Sequence, residues 1–385
     1  MSATRAVAEF VCSPPVMPTD SLAAALRSRT DTACAALLGS AVAVPGLPPA
    51  WTDAVWARSA GIDDVAVWGA AGAVLWPALT AVAGDAPAED RLAEAFCVGV
   101  AVGEALWRSG RYREADRGFD GTSVFGTMAA AAACARYLGL SVDEVVAALG
   151  IAGSGTGGLI ANLGTDLEPV HAGFAASNGV RAARLASVGF LGAPDILEAR
   201  QGFAEAYFGP NWVTADELSA ELAHALTSGD GVRLRQYPCH VEGQTLVAAL
   251  IDAAHEHLIG DIEVTGIGPT SGAARFDVPT TAAEARASLR YVLALTLVHG
   301  TVSQAGLDPT SVDGKAALGA IDRVRVDVLS RWDLPQEPGL IFGGRPVRIP
   351  APDDSLTTKW RRVCAELAEA GDDDTPAEIA GALAG

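Results

Sequence analysis

Charge is scarce in this chain of 385 residues: 19% of its residues are Asp, Glu, Lys or Arg, while 50% are hydrophobic. That balance excludes general disorder, because so apolar a chain can bury a large interior. Basic residues are the scarcer sign, 27 against 46 acidic, and the net charge of −19 sets up a field that repels nucleic-acid phosphates and anionic lipid. Neither nucleic acid nor a membrane is an expected partner. Paired cysteines are missing as well. Cys12, Cys34, Cys97, Cys134, Cys239 and Cys364 are scattered without a C-x-x-C, which points to packing thiols in a reducing, cytoplasmic compartment and to no metal cluster.

Several mechanistic motifs are absent too. There is no G-K-[ST] phosphate loop, no G-x-S-x-G elbow and no H-E-x-x-H zinc helix. "GSGTGG", Gly153 to Gly158, matches G-x-G-x-x-G, but a helical pattern precedes it where a dinucleotide loop needs a strand. It reads as a helix break or a close helix contact. His255 and His257 stand two apart on a helix and face different ways, so they read as surface residues rather than a metal pair. The N-terminal "MSATRAVAEFVCSPP" has Glu9 inside its only apolar patch, so no export signal is expected. Val65 to Gly84 is uncharged and about long enough to span a bilayer, yet it is rich in Ala and Gly, holds Pro77 and is flanked by aspartates. A buried helix is the expectation there.

What is present is mostly helical. Thr19 and Asp20 can cap a helix through "SLAAALRSRTDTACAALLGS", "AEDRLAEAFCVGVAVGEALWRSG" ends in a Gly stop, and Ser141 with Glu144 forms a capping box before "VVAALGIAG". From about Asp261 the pattern turns to short β-branched runs, "DIEVTGI", "DRVRVDVLS", "GLIFGG" and "RPVRIPAP", around a helical "AAEARASLRYVLALTLVHGTVSQAGL". The expected fold is mainly α: a helical domain over residues 1–258 and 353–385 with an inserted α+β domain over 259–352. A helix is expected at "SLTTKWRRVCAELAEAG", and the tail "GDDDTPAEIAGALAG" is expected to fray.

Three stretches taken in order, "GFDGTSVFGTMAAAAACARYLGLSVDEVVAALGIAGSGTGG", "EPVHAGFAASNGVRAARLASVGFLGAPDILEARQGFAEAYFG" and "YPCHVEGQT", resemble the MmgE/PrpD family, which includes 2-methylcitrate dehydratase and cis-aconitate decarboxylase. The resemblance implies a large helical domain, a smaller α+β lid, a site between them, a homodimer and no organic cofactor. It also implies proton transfer beside a carboxylate, with histidines as acid or base and lysines holding the substrate's carboxylates.

The chain departs from the family pattern where that chemistry sits. For "H-x-x-D-x-D-D-T" followed by "H-P" it has "RSAGIDDVAVWGAAGAV": Asp63 and Asp64 match, Gly61 and Val65 replace the first Asp and the Thr, and the "H-P" histidine falls near Gly69. Asp120 replaces a His, Glu168 stands for a lysine before the retained His171, Arg235 stands for another lysine, and a further His falls at Glu242 or Gln244. Losing those cations argues for a less anionic, more apolar substrate, since several buried carboxylates need paired charges.

The carboxylates can still move protons, so Asp120, Glu168 and Glu242 are the acid–base candidates, with His171, His240 and Tyr237 as donors or shuttles. Asp63, Asp64, Trp68, Thr122, Arg235, Tyr237 and Gln244 are the candidate substrate-binding residues. Plainer roles stand beside these: Asp120 as a helix cap, Glu168 as a partner of Arg235, His171 in a buried hydrogen bond, Trp68 and Trp76 as core. The leading reading is a cofactor-independent enzyme of specialised metabolism that eliminates, isomerises or cyclises a mostly neutral small molecule. The alternatives are a family-type dehydratase or decarboxylase on a small polycarboxylate, and a non-catalytic binding or scaffold homologue.

Overall fold

The computed structural model describes residues 2–39, 45–84, 87–110, 113–209, 212–227, 231–255, 260–268, 272–330, 338–353, 355–369, 372 and 374–384. The chain divides into two units. The first comprises Met1–Ala161, Pro169–Leu234 and Asp373–Gly385, and the second Asn162–Glu168 and Arg235–Asp372.

The helices of the first unit are α1 (Ala3–Cys12), α2 (Thr19–Leu38), α3 (Pro49–Ser59), α4 (Ala71–Ala83), α5 (Glu89–Gly110), α6 (Arg113–Asp116), α7 (Gly121–Leu138), α8 (Val142–Gly153), α9 (Glu168–Ser187, its first residue in the second unit), α10 (Phe203–Phe208) and α11 (Ala215–Thr227). The second unit carries α12 (Gln244–His255), β1 (Ile262–Ile267), α13 (Ala282–Arg286), α14 (Leu289–His299), α15 (Val312–Ala320), β2 (Val324–Val328), β3 (Gly339–Phe342), β4 (Arg345–Val347) and α16 (Leu356–Glu369). The chain then returns to the first unit with α17 (Asp374–Ala384), which packs on α2.

Small side chains set the spacing of the helical core. Every residue of α7 from Thr122 to Ala135 is buried, and the helices beside it approach through glycine. A Cβ on Gly179 of α9 would come 2.4 Å from Ala130 of α7, and one on Gly99 of α5 would come 2.9 Å from Ala133. Replacing either glycine would force the axes apart. Trp76 of α4 stacks on Phe96 of α5 with ring centroids 4.5 Å apart. The apolar run that includes Pro77 is thus a buried helix, and no helix among the described residues is long and apolar enough to cross a membrane.

The α+β character of the second unit follows from its alternating strands. Its sheet has the order β2-β1-β3-β4, with β1 parallel to β2 and antiparallel to β3, and a hairpin joining β3 to β4. Gly343 and Gly344 turn that hairpin with φ of 57° and 76°, values that a two-residue turn of this hand requires and glycine supplies.

Some expectations shift. The main segment of the second unit begins at Arg235 rather than at position 259, because α12 packs on α14 and β3, and Asn162–Glu168 joins it; α16 stays with it, and α17 makes the return. The expected fraying tail holds α17, whose Ile379 is fully buried. The capping box at Ser141 is formed in both directions, whereas α2 starts after Pro18 with no side-chain cap from Thr19 or Asp20. "GSGTGG" begins at Gly153, the last residue of α8, where a Cβ would lie 2.5 Å from Ile196, and runs on as a loop, so it is a helix break at a close contact. His255 ends α12; His257 lies outside the described residues.

Candidate functional site

The candidate residues fall into two groups, one in each unit. In the first, an Asp favoured as a helix cap begins α7: the Oδ1 of Asp120 accepts from the backbone N–H of Ser123 at 3.1 Å. The same Oδ1 stands 3.4 Å from Nδ1 of His171 on α9, close enough to pair with an imidazolium but outside hydrogen-bond geometry. Catalytic hydrogen bonds commonly tighten from such distances when substrate binds. Exposure separates the two roles, since the Asp120 side chain is 22% accessible and that of His171 4%. Asp120 is the member a substrate can reach.

The glycine-rich loop fixes this pair. Asp120 N–H donates to the Gly158 carbonyl at 3.1 Å, Ile160 N–H donates to the Gly118 carbonyl at 3.0 Å, and the Asn178 amide donates to the Gly155 carbonyl at 2.8 Å. A Cβ on Gly158, whose φ is 92°, would lie 2.7 Å from Ser123 and 3.5 Å from His171 Nε2. Glycine is needed there for the loop to lie against the histidine. Phe119 meets Tyr207 edge-on, with centroids 4.8 Å apart, giving the Asp120 turn an apolar flank. The Tyr207 hydroxyl donates to Thr156 at 3.0 Å, and burial raises its pKa.

Four expected substrate contacts in this unit are structural instead. Asp63 and Asp64 are fully buried. Asp63 pairs with Arg58 at 3.1 Å, and Asp64 accepts from the Gly72 N–H in the first turn of α4 at 2.6 Å. Burial first, and then the nearby charge of Asp31, push Asp64 up to about 8. Trp68 is enclosed by glycines: its indole N–H donates to the Val100 carbonyl at 3.3 Å, and a Cβ on Gly103 would lie 2.5 Å from that nitrogen. Trp76 is core as well, its indole donating to Ser28 at 3.0 Å. The Thr122 hydroxyl accepts from Ala70 N–H at 3.3 Å, so it ties the chain entering α4 to the start of α7.

The second unit gathers Arg235, Tyr237, His240, Glu242 and Gln244 on one turn. His240 Nδ1 lies 3.4 Å from a carboxylate oxygen of Glu242, and both side chains are partly exposed. Arg235 is buried, and its charge, with that of Arg362, acts on Cys239, whose thiol burial pushes up to about 12. The Arg362 guanidinium lies 4.8 Å from the Tyr237 ring centroid. Glu168, at the start of α9, accepts from the Gly164 N–H at 3.2 Å. Gln244 spends its amide on the backbone of Tyr237 and Cys239 rather than on an open surface. Burial, ahead of the other influences on it, raises the pKa of Tyr237.

Reading the residues alone misses Gly158, Ser123, Asp31 and Arg362. Gly158 carried a signal in its glycine-rich loop; Asp31 carried none, being brought to Asp64 by packing of distant segments.

A family model described as the MmgE/PrpD N-terminal domain matches residues 15–215. Cis-aconitate decarboxylase of Mus musculus is 30% identical over 306 residues, 73% of this chain and 61% of that protein. The Homo sapiens cis-aconitate decarboxylase is 31% identical over 282 residues, 67% of this chain and 57% of the relative. Cis-aconitate decarboxylase-like protein oryM of Aspergillus oryzae is 27% identical over 311 residues, 71% of this chain and 63% of the relative. The chain thus spans 57–63% of the length of these curated relatives.

Proposed function

Since the chain belongs to the MmgE/PrpD family, we propose that it is a lyase of the dehydratase or decarboxylase type, with Asp120 exchanging the proton and His171 behind it. The pairing of Asp120 with His171 carries this reading. Taking a proton from a carbon beside a carbonyl or carboxyl group turns the Asp120 carboxylate into a neutral acid, and the adjoining imidazole can accept that proton in turn. The electron pair left on carbon forms a double bond as the leaving group departs from the neighbouring carbon with its bonding electrons; in a decarboxylation the C–C bond to the carboxylate breaks, its electrons stay on carbon as carbon dioxide leaves, and Asp120, already protonated, gives its proton to that carbon and regains one from water. No organic cofactor enters either step.

The preferred substrate in this reading is a mostly neutral, apolar small molecule. The only two lysines of the sequence, Lys315 and Lys359, both belong to the second unit, so the unit holding the dyad offers no lysine to a carboxylate and presents Asp120 instead. Elimination, isomerisation or cyclisation in specialised metabolism fits such a substrate, and the family resemblance extends the reading to a cytoplasmic homodimer.

Metabolites compared with and without the protein should reveal one consumed intermediate. Asp120→Asn, Glu168→Gln and Glu242→Gln are then assayed on it; full rates in all three sink the acid–base assignment. A second reading, family-type action on a small polycarboxylate, draws support from the buried Arg235 standing where a lysine is expected and from the cis-aconitate decarboxylases among the relatives. Failure to turn over cis-aconitate and citrate-like acids would remove it, and binding without turnover of any compound would favour the scaffold alternative.

A further inference from the structure

We propose that Gln244 is a positioning residue, whose side-chain amide holds the turn from Tyr237 to His240 in the conformation that presents the His240–Glu242 pair. The inference rests on reading that pair as part of the working site.

The centre of the turn has no regular backbone pairing of its own. Pro238 lacks an N–H, and Cys239 N–H closes a three-residue turn on the Tyr237 carbonyl at 2.8 Å, a conformation without helix or strand partners. Gln244 supplies them. Its Oε1 accepts from Tyr237 N–H at 2.9 Å, and its Nε2 donates to the carbonyls of Tyr237 at 2.8 Å and Cys239 at 3.1 Å. The amide orientation is forced, since only an oxygen can receive the Tyr237 N–H.

Three further contacts fix His240 once the turn is set. Its N–H donates to the Arg286 carbonyl at 3.0 Å, its Nδ1 faces Glu242, and its Nε2 lies 2.8 Å from where a Cβ on Gly272 would stand. Among the groups facing the ring are the Glu242 carboxylate and the Glu242 N–H, which donates to Nδ1 at 3.5 Å, on its own turn, and Gly272 from the neighbouring segment. Leu163 also approaches Gly272, adding an apolar wall.

Length and chemistry single out glutamine at this position. Asparagine is one methylene too short to span both residues, and glutamate would set a second acceptor against two carbonyls. Gln244→Leu removes these bonds, and the 3.2 Å contact of Nε2 with Cys239 Sγ, at similar volume, while Gln244→Glu keeps the acceptor and loses both donor hydrogens.

The test uses the full chain with labelled histidine rings, read by NMR through a pH titration beside thermal unfolding. In Gln244→Leu the His240 ring signals should move and its midpoint shift by ~0.5 pH units or more, with His171 signals unchanged and the fold retained. Gln244→Glu should shift His240 in the same selective way. Unchanged His240 signals in a folded variant overturn the proposal. So does an equal shift of both histidines, or failure of both variants to fold, since either assigns Gln244 to the fold at large. The readout needs no substrate, so loss of the acid–base reading, seen as full activity in Asp120→Asn, remains a separate outcome.

Discussion

Thr122 fills the space that a side chain at position 69 would need: a Cβ on Gly69 would lie 2.3 Å from its Oγ1 and 2.8 Å from its Cα. Gly69 also has a φ of 142°, which disfavours other residues. The position near which the family's "H-P" histidine falls is thus closed to any side chain here. Gly69→Ala should destabilise the protein by about 2 kcal/mol or more, through overpacking and backbone strain. Thermal unfolding checks this, and an unchanged midpoint would mean the site has room.

Asp64 makes stability depend on pH. Its folded pKa of about 8 lies above the ordinary carboxyl value of 3.8, so the folded state holds a proton that the unfolded chain releases. The stabilisation is fully present below about pH 4 and is lost as pH rises toward 8. Asp64→Asn keeps the shape and the acceptor for Gly72 N–H but cannot ionise. Denaturation at several pH values between 5 and 8.5 should show a flatter profile for the variant, and equal slopes would contradict the assignment.

Asp120 carries two roles that substitution can separate. Asparagine is as good a cap as aspartate, so Asp120→Asn should keep the stability of α7 while lowering turnover by about 10²- to 10⁴-fold. Asp120→Ala should lose the turnover and, in addition, about 1 kcal/mol of stability. Equal activity in the Asn variant would leave the cap as the residue's whole purpose.

Trp68 tests the boundary between core and site. Its ring is buried against Gly103 and Gly126, so Trp68→Ala should cost about 3–5 kcal/mol. Chemical denaturation measures the loss, and a small one would show that the indole faces open space.

Local chemistry in the sequence revealed what depends on neighbours along the chain. Ser141 and Glu144 announce a helix start, and four short β-branched runs announce four strands. Asp120 announced a cap, and its pairing with His171 became visible only through packing of α7 on α9 across 51 residues of sequence. Asp63 and Asp64 match a motif, which says nothing of their burial. Their desolvation and the approach of Asp31 are products of the folded core. Gln244 misled in the same way, since a polar side chain can serve the backbone as readily as a ligand.

The cap at Asp120 also bears on how such a protein diverges. Aspartate and asparagine differ by a single-nucleotide change, and the helix accepts either, so folding exerts no selection that preserves the acid. A lineage can therefore silence or redirect the chemistry at this position without passing through an unstable ancestor. The scaffold then persists as raw material after its reaction has gone.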